Sequence, residues 1–361
     1  MSATALEPAA KRKRVELEDA TETVESSVSP PVRSTIWFED GNVVLQCQGT
    51  QYKVHRGILS ANSPIFKDMF STAHASLEDG EVEGCPVVHM PDLGKDVEYV
   101  LQAIFQPRCV NHPCFLILIL KPCVRCVVPF ESLPIDALVA YLKMGRKYDI
   151  DAVRSRAQSQ LFHLYPVELE DFDSIQAHST IRDQLASSEP DVDFAIANLA
   201  REHGLLSVLP VALYWCCHRW SEELLSSGKQ RRDKTSPYTL SEDNEHACLA
   251  ALHRLAKLQS NTTFAWMDTE HMYPPSVRCL NEDECGTTCA LKAARIFLPF
   301  PRIDGLGKWD EDWEMDLCDP CKQDAKTLHD SERYAFWRRL PQAFDLPGWN
   351  ELKTERTATR S

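Results

Sequence analysis

Residues 41–54 read Gly-Asn-Val-Val-Leu-Gln-Cys-Gln-Gly-Thr-Gln-Tyr-Lys-Val, and this stretch decides how the first half of the chain is interpreted. Apolar residues alternate on both sides of Gln48-Gly49, which is typical of two short strands joined by a turn. Ile36 and Phe38 precede them across a second turn at Asp40-Gly41. The stretch therefore predicts that the first ordered part of the chain is rich in β-hairpins.

Two short helices and one longer helix are predicted after the strands. Ser63 followed by Pro64 is typical of a helix start, because serine caps free amides and proline fits the first helical position. Residues 87–90 form a further short strand, and residues 94–105 carry apolar side chains at amphipathic helical spacing. Order therefore begins at Thr35 with mixed strands and helices.

The motifs in this region resemble a known family. They are Gly41-Asn-Val-Val-Leu-Gln, Tyr52-Lys-Val-His-Arg-Gly-Ile-Leu-Ser, Ser63-Pro-Ile-Phe-Lys-Asp-Met-Phe and Met90-Pro-Asp. Their order is similar to a BTB/POZ domain of the basidiomycete fungal type, and residues 138–150 resemble the closing helices of that domain. The resemblance implies an α/β fold, a small sheet flanked by helices, that is used for protein association.

Two polar residues within these motifs bear on function. Many metazoan members of the family carry Asp where Asn42 stands, and that Asp contributes to their dimer interface, so the resemblance makes homodimerisation less secure here. His55 has no Ser, Cys or carboxylate partner at motif spacing. We therefore expect a hydrogen-bonded structural histidine rather than a catalytic one.

Composition divides the chain into four parts. Residues 1–33 contain few large apolar side chains and are predicted to be a disordered tail. Residues 34–163 are assigned to the BTB/POZ domain, residues 164–260 to a helical module, and residues 261–361 to a cysteine-containing C-terminal region. The predicted fold class is thus an α/β BTB/POZ domain followed by a mostly α-helical C-terminal region.

Residues 107–129 are anomalous within the predicted BTB/POZ domain. The segment contains four cysteines and the apolar run Phe-Leu-Ile-Leu-Ile-Leu, where the resembled family has a short connection. Cys123 and Cys126 form a C-x-x-C pair, which leaves a zinc site open as an alternative. Unpacked, the apolar run would be prone to aggregation. We favour a gene-model artefact such as a translated intron, and we expect this segment to be poorly ordered.

Five cysteines in the C-terminal region follow the spacing C-x5-C-x3-C-x28-C-x2-C. Zn²⁺ takes four ligands in a tetrahedron, so Cys279, Cys285, Cys318 and Cys321 are predicted to bind a structural zinc ion, with Cys289 as a substitute for Cys285. The second pair is expected to precede a helix at residues 323–340. Ordinary reduced, partly buried cysteines are the alternative, and a redox C-x-x-C is disfavoured because no βαβ pattern precedes it.

Charge and motifs exclude several classes of function. The 361 residues carry a formal net charge of −14, which disfavours nonspecific nucleic-acid binding because that binding depends on cationic contacts. No apolar run approaches the ~20 residues that cross a bilayer, and no secretory signal is visible. No hydrolase, NTP-binding or dinucleotide motif occurs. We therefore predict no catalytic residues, no enzymatic activity and no membrane partner.

A protein-interaction module is the class of function that the sequence favours. One role is an adaptor that recruits substrates to a cullin-type ubiquitin ligase; the alternative is a nuclear regulatory protein that self-associates through its BTB/POZ domain. A zinc-dependent enzyme is a remote alternative. Lys11-Arg12-Lys13-Arg14 fits a nuclear localisation signal, so the expected location is nuclear or cytoplasmic.

Overall fold

The computed structural model describes residues 30–72, 80–106, 133–177, 192–227, 240–267 and 273–358. Within these ranges, five strands form one sheet in the order β1-β3-β2-β5-β4. The β2–β3 and β4–β5 pairs are antiparallel, whereas β1–β3 and β2–β5 are parallel. The strands are β1 (Val32–Trp37), β2 (Val43–Cys47), β3 (Thr50–Val54), β4 (Glu81–Val82) and β5 (Cys85–Met90).

The two predicted turns behave differently. Gln48 and Gly49 have φ angles of 48° and 96°, as the tight turn of a two-residue hairpin requires, and they join β2 to β3. The Asp40-Gly41 turn does not produce a hairpin, because β1 pairs with β3 rather than with β2. The backbone at Gly41 passes close to β3: a Cβ there would lie 2.9 Å from the Cγ of Lys53.

Among the described residues, five helices flank the sheet, which confirms the predicted small sheet with helices. Ser63 Oγ accepts a hydrogen bond from Phe66 N (3.0 Å) at the start of the second helix and donates to Tyr148 O (2.5 Å). This serine therefore joins the second helix to the end of the fourth. The five are α1 (Arg56–Asn62), α2 (Pro64–Thr72), α3 (Gly94–Phe105), α4 (Ile135–Lys147) and α5 (Asp151–Leu164).

The remaining described residues are mostly helical, as predicted. Two 3-10 turns, Ala265–Met267 and Glu311–Glu314, interrupt them. The helices are α6 (Leu169–Ala177), α7 (Val192–Glu202), α8 (Leu209–Ser227), α9 (Glu242–Ser260), α10 (Glu282–Phe297), α11 (Asp319–Ala343) and α12 (Trp349–Ala358).

One main core spans both halves of the chain. It contains Leu45 and Leu138 of the α/β half, Leu213 of α8, and Phe336 and Leu352 of the last two helices. Apolar packing is therefore continuous across residues 163 and 164, where composition placed a boundary. That division of the chain stays a prediction.

Arg356 of α12 fastens the end of α5 to the start of α8. Its guanidinium donates hydrogen bonds to Phe162 O (2.9 Å), Tyr165 O (2.5 Å) and Ser207 Oγ (3.0 Å). Burial lowers the pKa of Arg356 to about 10. Glu355 on the same helix accepts a hydrogen bond from Ser207 N (2.7 Å).

The boundary of the predicted tail needs a correction. β1 begins at Val32, inside residues 1–33, because Val32 N donates to Gly49 O (2.7 Å) and Arg33 pairs with Glu83 (2.8 Å). Residues 1–29 of the tail, including its basic block, and the anomalous segment 107–129 lie outside the described residues. Within the described ranges, no helix combines the length and the hydropathy that a membrane span requires.

Candidate metal centre

A second, smaller core lies in the C-terminal region. It is built around α10, the first turns of α11 and the turn Ala265–Met267. Asn281 caps the start of α10, because its Oδ1 accepts a hydrogen bond from Glu284 N (3.4 Å). The acidic side chains in the first turn of α10 interact favourably with the positive end of the helix dipole. Cys285 and Cys289 are four residues apart on this helix, so both face the small core.

Four cysteine sulfurs converge at this small core. Those of Cys279, Cys285, Cys318 and Cys321 all lie within 4.8 Å of one another, and the Sγ atoms of Cys279 and Cys318 are 3.8 Å apart. Ligands placed tetrahedrally at about 2.3 Å from a metal ion lie about 3.8 Å from each other. The four cysteines can therefore hold one metal ion.

Three segments bring these sulfurs together. Cys279 lies in the loop before α10, Cys285 is in the first turn of α10, and Cys318 and Cys321 lie at the start of α11. α11 begins at Asp319 rather than at the predicted residue 323. The Asp319-Pro320 pair fits the first turn of this helix. Proline has no backbone N–H, and the amides of the first turn have no partner within the helix in any case.

Hydrogen bonds from backbone amides and burial shift the pKa values of Cys318, Cys285 and Cys321 in opposite directions. Leu280 N donates to Cys318 Sγ (3.5 Å), and this hydrogen bond is the main cause that lowers the pKa of Cys318 to about 6. Cys318 N in turn donates to Cys285 Sγ (3.4 Å). Burial raises the pKa values of Cys285 and Cys321. One thiolate therefore forms readily, and a cation at the centre would compensate the charge of the others.

Cys289 is not part of the converging group. It is fully buried on the same helix face as Cys285, one turn further along α10, and burial raises its pKa to about 12. The structure thus brings together the four sequence-predicted ligands and leaves the proposed substitute in the apolar part of the small core.

Aromatic rings cover one side of the small core. The centroid of Trp309 lies 5.2 Å from Trp266 and 5.4 Å from Trp313, and Trp313 lies 5.0 Å from His329. His329 Nε2 donates to Gly307 O (3.1 Å), and burial lowers the pKa of His329 to about 4. His329 was not predicted from the sequence, because a single histidine on a polar helix has no pattern that marks it as functional.

The arrangement favours a structural site over a catalytic one. Four sulfur ligands fill the tetrahedral positions of an ion, so no position remains for water or substrate. Thiolates select soft or borderline metal ions. Such a centre would join the loop before α10 to α11 across 39 residues of chain.

Comparison with known families concerns the other half of the chain. Residues 38–109 match the model of the BTB/POZ domain family. The chain contains a BTB/POZ domain. Curated proteins and solved structures gave no match. BTB/POZ domains are protein-interaction modules that mediate association, including homodimerisation, and theirs is not an enzyme family. The match ends before α4, so the predicted extension of the domain to residue 163 stays a prediction.

The polar residues singled out in the BTB/POZ domain have structural contacts. Asn42 Oδ1 accepts a hydrogen bond from Arg56 N (2.8 Å), the first amide of α1. His55 Nε2 lies 3.3 Å from Asp40 Oδ1, and its ring packs at 5.4 Å from Phe38. His55 thus has a carboxylate partner, Asp40, that the sequence spacing did not indicate, and its structural role stays a prediction.

The first two helices of the BTB/POZ domain also present apolar side chains to solvent. Ile58 of α1 is 40% exposed and Ile65 of α2 is 42% exposed. α1 and α2 pack against each other, so the two isoleucines belong to neighbouring helices. Both are candidate residues for contact with a partner, as is Leu93, which is 48% exposed.

Proposed function

We propose that the protein is a non-catalytic adaptor: the BTB/POZ domain binds protein partners and the helical region displays a second binding surface. The observation that carries this proposal is the continuous main core, which packs the BTB/POZ domain and α7–α12 against each other. A partner bound at one half is then held at a defined distance from a partner at the other half, as an adaptor requires.

A cullin scaffold is the partner that we propose for the BTB/POZ domain, because many members of the resembled family recruit one. The test is isothermal titration of the full chain with a recombinant cullin amino-terminal domain. We expect saturable one-to-one binding. Absence of heat and of co-elution would reject the cullin role while leaving self-association open to its own experiment.

Self-association through the BTB/POZ domain is the second candidate, favoured by the exposed Ile58 and Ile65. Light scattering coupled to gel filtration should show a dimer that Ile58→Asp and Ile65→Asp convert to monomer, because a charge on each helix opposes apolar docking. Leu249→Asp on α9, at a leucine that is 48% exposed, is the matched control and should leave the mass unchanged. A monomeric wild-type chain contradicts this candidate.

We propose Zn²⁺ as the ion of the metal centre, with a structural role. Four thiolates in a closed tetrahedral set are the ligands of many structural zinc sites. Elemental analysis of purified protein should give about one zinc per chain, with Cys321→Ser abolishing it and Cys289→Ser leaving it intact. Zinc retained in Cys321→Ser, or absent from the wild type, would contradict the assignment.

Two further parts of the proposal rest on the sequence alone. The basic block at residues 11–14 supports entry into the nucleus, and a fluorescent fusion carrying alanine at these four positions should then remain cytoplasmic. The motif run supports membership of the basidiomycete group of BTB proteins. Relatives from fungal genomes should then align over the whole chain rather than over the BTB/POZ domain alone.

A further inference from the structure

The four cysteines of the metal centre differ in their exposure to solvent. Cys285 and Cys321 are 2% and 0% exposed, whereas Cys279 and Cys318 are partly exposed. A reagent in solution therefore reaches the sulfurs of Cys279 and Cys318 before those of the buried pair. Exposure of this kind, next to a second cysteine, is what makes a cysteine susceptible to oxidation.

The exposed pair also has more conformational freedom than the buried pair. Cys279 lies in the loop before α10, and Cys318 precedes α11 with an extended backbone (φ −71°, ψ 158°), whereas Cys285 and Cys321 are inside helices. The Sγ atoms of Cys279 and Cys318 are 3.8 Å apart. A disulfide has a sulfur separation of about 2.05 Å, so the two atoms must approach by about 1.8 Å. Rotation of the two side chains and a small shift of the loop achieve this while both helices stay intact.

The charges around the exposed pair favour a neutral oxidant. Residues 282–284 form an acidic first turn of α10, and the exposed Asp319 follows at the start of α11. Arg278 and Lys322 nearby are each paired with an aspartate, at 3.3 and 3.5 Å. The excess of negative charge repels anionic oxidants such as oxidised glutathione. A small uncharged peroxide meets no such barrier.

We propose that Cys279 and Cys318 form an oxidative modification site, at which hydrogen peroxide joins them in a disulfide and thereby releases the metal ion. The inference rests on the metal centre proposed above and adds a means of regulating it. It does not depend on the partner of the BTB/POZ domain.

The reaction proceeds in two displacements at sulfur. The thiolate of Cys318 attacks one peroxide oxygen: an S–O bond forms, the O–O bond breaks, and hydroxide leaves, so that Cys318 becomes a sulfenic acid. The thiolate of Cys279 then attacks this sulfur: the S–S bond forms, the S–O bond breaks, and a second hydroxide leaves. Two thiolates are oxidised by two electrons in total, and one peroxide is reduced to two hydroxide ions.

Disulfide formation changes which segments of the small core are joined. Two remaining sulfurs do not fill the tetrahedral positions of a structural metal ion, so the ion leaves. The disulfide keeps the loop before α10 attached to α11 across 39 residues of chain. Cys285 of α10, by contrast, loses its only link through the metal to both segments. Oxidation is therefore expected to loosen α10 selectively.

Peroxide treatment of the zinc-loaded full chain tests this proposal. Isotope-labelled alkylation with mass spectrometry follows each cysteine separately, and a chromogenic chelator measures released zinc. With one equivalent of peroxide we expect one disulfide between Cys279 and Cys318, at least about fivefold more oxidation of this pair than of the buried Cys289, and one zinc released per disulfide. Dithiothreitol should reverse both changes, and oxidised glutathione should leave the zinc bound. A first disulfide between Cys318 and Cys321, or no oxidation of the exposed pair, overturns the proposal.

Variants separate this proposal from the metal assignment. Cys279→His keeps four ligands of a type that binds zinc and removes the partner sulfur, so peroxide should leave a sulfenic acid on Cys318 that dimedone traps. Cys289→Ser, at a cysteine outside the ligand set, is the matched control and should react as the wild type does. If Cys279→His does not hold zinc, the wild-type disulfide map decides. A wild-type chain without zinc contradicts the metal assignment alone, because its disulfide map still shows whether Cys279 and Cys318 pair.

Discussion

The main core and the small core consist of different types of side chain. The main core joins the BTB/POZ domain to α7–α12 through many aliphatic side chains from distant parts of the chain. The small core contains few aliphatic residues; it consists largely of cysteines and aromatic rings. The apolar area buried in the main core is large enough to stabilise that core without a metal ion. The small cluster of thiols, by contrast, is stabilised by binding a metal ion. Stability should therefore respond to different perturbations in the two regions.

The largest expected effect is loss of the metal ligands. With Cys321→Ser, or with a chelator, we expect hydrogen exchange of α10 to accelerate strongly while that of α4 stays slow, because structural zinc sites contribute about 10 kcal/mol or more in small domains. Cys289→Ala is the control on the same helix and should keep α10 protected. If the hydrogen-exchange rate of α10 does not change when the chelator is added, the small core is stable without a metal ion, as the main core is.

Removal of the Arg356 guanidinium should have the second-largest effect on stability. Arg356→Ala leaves Phe162 O, Tyr165 O and Ser207 without their donor, and hydrogen bonds to a charged group contribute about 1.5–3 kcal/mol each. We expect about 3–5 kcal/mol less free energy of unfolding in urea. Arg339→Ala, an exposed arginine on α11, should change it by less than about 0.5 kcal/mol. If Arg356→Ala and Arg339→Ala lower the free energy of unfolding by similar amounts, Arg356 does not stabilise the contact between α5 and α8.

A cavity in the main core tests whether its two halves unfold together. Leu138→Ala removes a fully buried side chain and should lower the free energy of unfolding by about 3 kcal/mol. Circular dichroism and exchange of α8 should report the same midpoint, because both halves share the core. Leu249→Ala, at an exposed leucine, should have little effect. Separate midpoints for α4 and α8 would indicate two independent domains.

The smallest effect concerns pH and the small core. His329 has a folded pKa of about 4, below the ordinary value of about 6.5, so the unfolded chain binds its proton more readily. Its contribution is complete above pH 6.5 and is lost as the pH falls towards 4, about 2 kcal/mol between pH 7 and pH 5. His329→Gln should flatten this dependence relative to the wild type. Identical slopes in urea titrations would contradict a neutral buried His329.

Local patterns predicted the elements better than their pairing. The spacing around Ser63 and residues 94–105 indicated α2 and α3, and the Gln48-Gly49 pair indicated the β2–β3 hairpin. The parallel pairing of β1 with β3 was missed, because the Asp40-Gly41 turn suggests a local hairpin. Contacts between strands that are distant in sequence leave no local pattern.

For the metal centre, the sequence supplied the residue types but not their geometry. Concentrated cysteines indicated a ligand set, and the C-x-x-C at Cys318 and Cys321 indicated one half of it. The choice between Cys285 and Cys289 depends on how the loop at Cys279 meets α10, and α10 was not predicted.

The contacts of Arg356 also set an order of events during synthesis. The residue is 194 positions after Phe162, whose carbonyl it binds. Ribosomes add about 5–20 residues per second, so about 10–40 s separate the appearance of the two partners. During this interval the BTB/POZ domain and α5 leave the ribosome without the helix that fastens them to α8. Nascent chains in this interval expose apolar surface that α12 later covers, and this surface is where a chaperone would bind.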